Sequence, residues 1–295
     1  MAMKFAKSCR QDFSVFARGQ EEQAMFDFNR LLNWNAAQPS SFDFGRMLNW
    51  KILRGSHEFP GPDGGTCVNE AAIVAAGYAY RPVRRIEDCP QSFSRPLALY
   101  AMCINEIVLD DRLRAELLMP FVTRLAGSAD TPEVERERIA LVIRRTMTDI
   151  LADALDFCGY RREARRCRGV TTLDAAMAIV NQLPGRDWHT RADRSPVNAI
   201  AMAIQDYQGH RSVEAAQFAG TVIADLAEIV MLLPGRPDGR RAAEALYRQG
   251  AAILAAALKI GRQAPPIAED VAATRMETAK RAARAHAGAE PARAA

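Results

Sequence analysis

The sequence predicts an all-α protein: a helical bundle of stacked helical hairpins with one long surface loop. Three observations lead there. Alanine is abundant in the second half while aromatic residues make up only 7% of the chain, and alanine is the best helix former and poor in strands. From Thr131 onward, apolar residues recur at three- and four-residue steps. A segment ending in Leu-Pro-Gly-Arg also recurs at a spacing of fifty residues.

Taken in order, residues 10–34 read as helix, with Phe13, Phe16, Met25, Phe28, Leu31 and Leu32 at helical steps despite Gly19. Phe26-Asp-Phe-Asn-Arg-Leu-Leu-Asn-Trp34 is echoed by Phe42-Asp-Phe-Gly-Arg-Met-Leu-Asn-Trp50. Two short helices joined at Pro39-Ser40-Ser41 would each offer a Phe and a Trp as core anchors. Next comes Gly55 to Ala76, whose first half is too rich in glycine and proline for a helix or an inner strand. Its second half, from Asn69-Glu70, turns abruptly helical. Tyr78–Ile86 is the best candidate for extended structure, short and at an edge because of Pro82.

Helix 96–108 follows the Ser92–Arg95 loop. Asp110-Asp111 cap a helix running towards Leu125, kinked at Pro120. Thr131-Pro132-Glu133 combines an N-cap, a proline at the first helical position and an acid in the first turn. The wide apolar face that follows (Ile139 to Phe157) implies neighbours on two sides, and the helix should end at Gly159.

Ile179-Val-Asn-Gln-Leu-Pro-Gly-Arg186 and Ile229-Val-Met-Leu-Leu-Pro-Gly-Arg236 each close one helix and open another, about 196–208 and 238–260. Stacked hairpins are the natural reading, though two copies do not make a solenoid. A last helix, about 268–285, precedes a disordered tail. Four segments result: 1–54, 55–130, 131–285 and 286–295.

Composition narrows function only loosely. A formal charge of +4 does not imply a nucleic-acid or membrane partner. Cys9, Cys67, Cys89, Cys103, Cys158 and Cys167 follow no disulfide framework. The N-terminus lacks an apolar stretch of signal-peptide length, and the longest apolar run, Ala71–Tyr80, falls short of a membrane span. These features predict a cytoplasmic protein with reduced thiols.

The stretch from Gly55 to Ala76 holds the candidate chemistry. A thiolate at Cys67 would sit at a helix N-terminus, where unpaired N–H groups favour negative charge. His57 would serve as base, with Asp63 or Glu58 orienting it, and Gly64, Gly65, Thr66, Asn69 and Glu70 would form the binding surround. The structural alternative makes Gly64-Gly65 a turn, Thr66 the N-cap, Cys67 inert packing, and Asn69 and Glu70 the rest of the cap. A tetrahedral metal set of His57, Cys67, Cys89 and Cys103 lacks the usual close ligand pair, so no metal or cofactor is expected.

Arg161-Arg-Glu-Ala-Arg-Arg-Cys-Arg168 places Arg161, Arg165 and Arg168 on one helix face, a candidate phosphate grip. A solvated face, paired with Glu163 and nearby acids, is the plain expectation.

Gly64-Gly-Thr-Cys67 is similar to the Arg-Gly-Gly-x-Cys motif of arylamine N-acetyltransferases, but Asp63 stands in place of the arginine. That family's histidine and aspartate follow the cysteine in strands, whereas His189, His210 and His286 fall in helical or loop territory here. Gly55-Ser-His-Glu-Phe-Pro-Gly-Pro-Asp-Gly-Gly-Thr-Cys-Val-Asn-Glu-Ala-Ala72 resembles a string carried by a group of bacterial proteins with no known activity. Phe93–Pro96, Leu118–Gly127 and Leu258–Gln263 fit the same group. The second half is compositionally similar to all-helical immunity proteins, which work by binding a partner. The expected function is therefore a non-enzymatic bacterial binding protein with a protein partner. A cysteine-dependent acyl transferase or hydrolase is the alternative.

Overall fold

The computed structural model describes residues 51–57, 65–183 and 195–289, with side chains as far as 282. All of them fall within one compact unit, Phe42–Ala295. The Phe-Asp-Phe echo, most of the Gly/Pro loop, the first Leu-Pro-Gly-Arg turn and the last six residues lie outside the described residues.

The fold is all-α. The strands among the described residues are β1 (Lys51–Ile52) and β2 (Gly65–Thr66), a parallel pair in the register Lys51 to Gly65 and Ile52 to Thr66. Helix α1 (Val68–Ala75) follows at once and is buried throughout. It stops at Gly77, whose φ of +89° reverses the chain, and Arg275 donates from Nη1 to Ala75 O at 2.7 Å across that end. The region 78–85 contains no strand. It is irregular and leads into a 3₁₀ turn, Ile86–Asp88, so the extended structure expected there is instead at Lys51 and Gly65.

Local signals place most later helices within a residue or two. Ser94 caps α2 (Arg95–Ile107), and Asp110 caps α3 (Asp111–Val122), which accommodates Pro120 in its last turn. Thr131 caps α4 (Pro132–Arg145) as its sequence requires. This helix passes through a π-helical turn, Thr146–Leu151, into α5 (Ala152–Phe157), and the chain breaks at Gly159 with φ +92°. Helix α6 (Arg161–Arg168) is short, and α7 (Leu173–Val180) is capped by Thr172. Then come α8 (Pro196–Gln208), α9 (Ser212–Leu232), α10 (Gly239–Ala257) and α11 (Glu269–Ala289). The last runs past 285, into the segment expected to be a disordered tail.

Helix α9 is the core helix, packed against α8, α10, α2 and α4. By length and composition alone it could cross a membrane, yet here Ala215, Ala219, Val222, Ile223, Leu226 and Val230 are buried against neighbouring helices. Two glycines permit its close contacts. A Cβ on Gly220 would overlap Cys103 of α2, and one on Gly250 of α10 would overlap Ile223 of α9. Helix α4 and its π turn meet α7, α8, α9 and α10, which accounts for the two-sided apolar face. Helices from 55–130 and from 131–285 interleave: α2 packs on both α9 and α10.

Candidate functional site

The Gly55–Ala76 stretch is built around one carboxylate. Glu70 in the first turn of α1 is fully buried, and its Oε1 accepts from Ser56 Oγ at 2.8 Å, Val83 N at 3.0 Å and His57 N at 3.2 Å. Its Oε2 accepts from Cys67 N at 2.8 Å. One short side chain therefore ties together three segments that the strand pairing brings near: the chain after β1, the start of α1 and the irregular run at 83.

Neighbouring groups brace the same frame. Asn105 on α2 accepts from Val68 N at 3.2 Å and donates to Leu53 O at 2.8 Å. Glu106 accepts from Gly55 N at 2.7 Å, and Tyr80 donates its hydroxyl to His57 O. Arg114, fully buried on α3, donates to Asn105 O at 2.9 Å, to Ile52 O at 3.2 Å and to Val108 O, and pairs with Asp111. Gly65 has no room for a side chain because Leu53 fills the space.

Cys67, not Thr66, is the N-cap of α1. Its thiol accepts from Glu70 N at 3.4 Å, and Glu70 returns the bond to Cys67 N, forming a capping box. Thr66 belongs to β2, and its buried Oγ1 has no hydrogen-bond partner among the described residues. Nor has Oδ1 of Asn69, whose Nδ2 donates to Ala98 O at 2.9 Å. Cys67 is 1% exposed. Burial pushes its thiol well above the ordinary value and the Glu70 carboxylate adds to this, outweighing the N–H groups of Glu70 and Asn69 that favour the thiolate. Helix-terminal activation of the cysteine is thus overridden by desolvation.

The half-buried His57 has Nε2 2.9 Å from Arg54 O. The ring is held by local backbone, and the Cys67 thiol is held by Glu70. Asp63, Gly64 and Glu58 lie outside the described residues. Cys89 and Cys103 are raised by burial to about 12, and among the described residues no group of three His, Cys, Asp or Glu could hold a metal.

The arginines of α6 divide into two sets. Arg168 pairs with Asp153 at 2.7 Å and Asp156 at 3.1 Å, and Arg166 bonds Gln182. Arg161, Arg162 and Arg165 are exposed. Glu163 forms no ion pair among the described residues, whereas the expected pairing with nearby acids is made by Arg168 with Asp153 and Asp156.

Two features escaped sequence reasoning. The first is Arg138 on α4, 1% exposed. It donates to Ile260 O at 2.8 and 3.1 Å and to Ser128 O at 2.6 Å, and pairs with Glu135 at 3.0 Å. It thereby joins the end of α10 to the start of α4. The second is an open cleft of about 550 Å³ between α4, the start of α7 and the end of α8. Its lining includes the apolar Ala140, Leu141, Leu173 and Ile260 and the charged Glu137, Arg144 and Asp174. Arg136 at one end lies over the Tyr207 ring at 4.2 Å and donates to Tyr207 O at 2.8 Å. Its Nη1 is also 3.0 Å from His210 Nδ1. No local motif marks the cleft, because its walls come from three separate helices.

Comparison with protein-family models, curated proteins and solved structures finds no match for this chain.

Proposed function

We propose that the chain is a non-enzymatic binding protein, of the interaction or immunity type, that engages a protein partner. The cleft beside α4 carries this reading. It is open, lined by apolar residues and by both signs of charge, and its Arg136 guanidinium is fixed in place by the Tyr207 stack. Such a surface suits a peptide segment that buries apolar side chains and matches charges at the rim. At the Gly55–Ala76 stretch, by contrast, the polar groups of Glu70, Asn105 and Arg114 are engaged with backbone, and the thiol is a buried helix cap. Cys67, Cys89, Cys103 and Cys167 form no disulfide among the described residues, in keeping with a reducing, cytoplasmic setting.

Affinity capture from the native host tests the reading, with the wild-type chain beside a Glu137→Lys/Arg144→Glu charge reversal. The wild type should retain a stoichiometric protein that the reversal loses. Retention of no stoichiometric protein under several conditions, with a small molecule copurifying instead, would overturn it.

A further inference from the structure

We infer that the outer face of α6 binds the phosphate backbone of a nucleic acid, without reading its sequence. Arg166 and Arg168 are taken up by Gln182, Asp153 and Asp156, and so anchor the helix to its neighbours. Ala164 and Cys167 turn inward and are fully buried. What remains is the half-buried Glu163, in no ion pair among the described residues, and Arg161, Arg162 and Arg165, all exposed and with no partner among the described residues, which leaves a net charge of about +2 on the face.

Two of the three stand where a structural role is hardest to argue. Arg161 and Arg162 occupy the first turn of α6, where the helix dipole disfavours positive charge. A fourth exposed cation is held on Phe157, four residues before Arg161. Arg236, in the turn between α9 and α10, donates to Phe157 O at 2.8 Å and lies over the Phe157 ring at 5.1 Å. It is held at the end of α5, just before α6 begins.

Charge and surface chemistry select the partner. Side chains three and four apart on a helix sit about 5–6 Å from each other at Cβ, so a single guanidinium row can meet successive phosphates. The planar fork of each guanidinium also matches phosphate oxygens in pairs. An acidic protein would satisfy the charge as well, but stable protein interfaces centre on a desolvated apolar or aromatic anchor. The outer face of α6 has none. Phosphate-backbone binding needs none, since counterion release supplies the free energy.

Fluorescence anisotropy with labelled single- and double-stranded DNA of about 20 nucleotides, from about 25 to about 200 mM salt, provides the test. The full-length chain should bind weakly at low salt, with a log–log salt slope of about −3 on the duplex and about −2 on the single strand. Arg161→Gln/Arg162→Gln/Arg165→Gln should abolish most of that slope and weaken low-salt binding at least roughly tenfold, and Arg165→Gln alone should flatten the slope by about 1. Arg112→Gln/Lys259→Gln/Arg262→Gln, which removes the same charge from exposed positions elsewhere, should retain the slope. Circular dichroism of each variant shows that the fold is kept. Absence of binding at the lowest salt would overturn the inference. So would an unchanged slope in the α6 variants, or an equal loss in the control. Equally tight, salt-dependent binding of a polyglutamate peptide would assign the face to an acidic protein instead.

Discussion

Cys67 and Glu70 hold one another through the backbone: the Glu70 carboxylate accepts the Cys67 amide at 2.8 Å, and the Cys67 thiol accepts the Glu70 amide at 3.4 Å. The position calls for a side-chain acceptor at a helix N-cap, and serine supplies one better than cysteine does. Cys67→Ser should therefore stay within about 1 kcal/mol of wild type, its hydroxyl taking over the cap. Cys67→Ala, which has no acceptor, should lose about 1–2 kcal/mol. Urea denaturation separates the two. A serine variant less stable than the alanine variant would show that the buried hydroxyl finds no hydrogen bond there, so that capping does not govern the site.

Glu70→Gln tests the carboxylate itself. The amide would keep one oxygen but turn an NH₂ group towards an N–H that now has an acceptor, Cys67 N or the cluster at Ser56, His57 and Val83. Leaving a buried donor unsatisfied costs about 1–3 kcal/mol, so the urea midpoint should fall accordingly. A change below about 0.5 kcal/mol would mean that these donors find other partners.

Thiol labelling addresses the cysteine-enzyme alternative. Burial raises Cys67, and it raises Cys89, Cys103 and Cys167 to about 12. A raised thiol pKa means less thiolate at neutral pH, and the thiolate is the reacting form. In the native state, iodoacetamide near pH 7 should label Cys67 no faster than Cys103 or Cys167, and His57→Ala should leave the rate unchanged. Rapid, His57-dependent labelling of Cys67 alone would restore the catalytic reading.

Glu135 introduces a pH dependence. Burial raises its carboxyl above the ordinary 4.5, more than the Ser94 hydrogen bond and the Arg138 charge lower it. A carboxyl raised in the folded state binds its proton more tightly there. Its contribution is therefore fully present below the unfolded pKa and is lost as pH climbs through the folded one. Glu135→Gln carries no such titration. The melting temperature of wild type relative to Glu135→Gln should accordingly fall as pH rises through and above about 4.5. A difference that grows over this range would mean that Arg138 dominates burial.

Helices that begin with strong local chemistry were legible in the sequence. Thr131-Pro132, Asp110 and the Pro196 start each satisfy orphan amides with groups at hand, so nothing distant was needed to place them. The cap of α1 was misplaced by one residue, because threonine is the stronger N-cap by propensity and only the β1–β2 pairing removes Thr66 from contention. That pairing is two residues long and joins segments separated by a loop, which leaves no periodic trace. Glu70 was visible as a capping residue, but its bonds to Ser56, His57 and Val83 depend on the tertiary fold. Nothing in the sequence singles out Arg114 or Arg138. They are buried because carbonyls from distant segments converge on their guanidiniums, which no window of sequence reveals.

The π-helical turn at Thr146–Leu151 makes chain length a constraint in its own right. Such a turn accommodates one residue more than an α-helical path would. Removing one residue there would let it wind as regular α-helix with everything downstream held in phase, whereas rewinding the turn as α-helix at its present length would rotate everything downstream by about 100° and push it on by about 1.5 Å. Asp153 and Asp156 would swing away from Arg168, and the buried Ala154, Leu155 and Phe157 would change azimuth against α6 and α10. Side chains in this turn can be exchanged one by one with losses confined to their own contacts. Rewinding the turn as α-helix at its present length acts like a wrong gear tooth, mis-phasing every residue that follows as far as the Gly159 break.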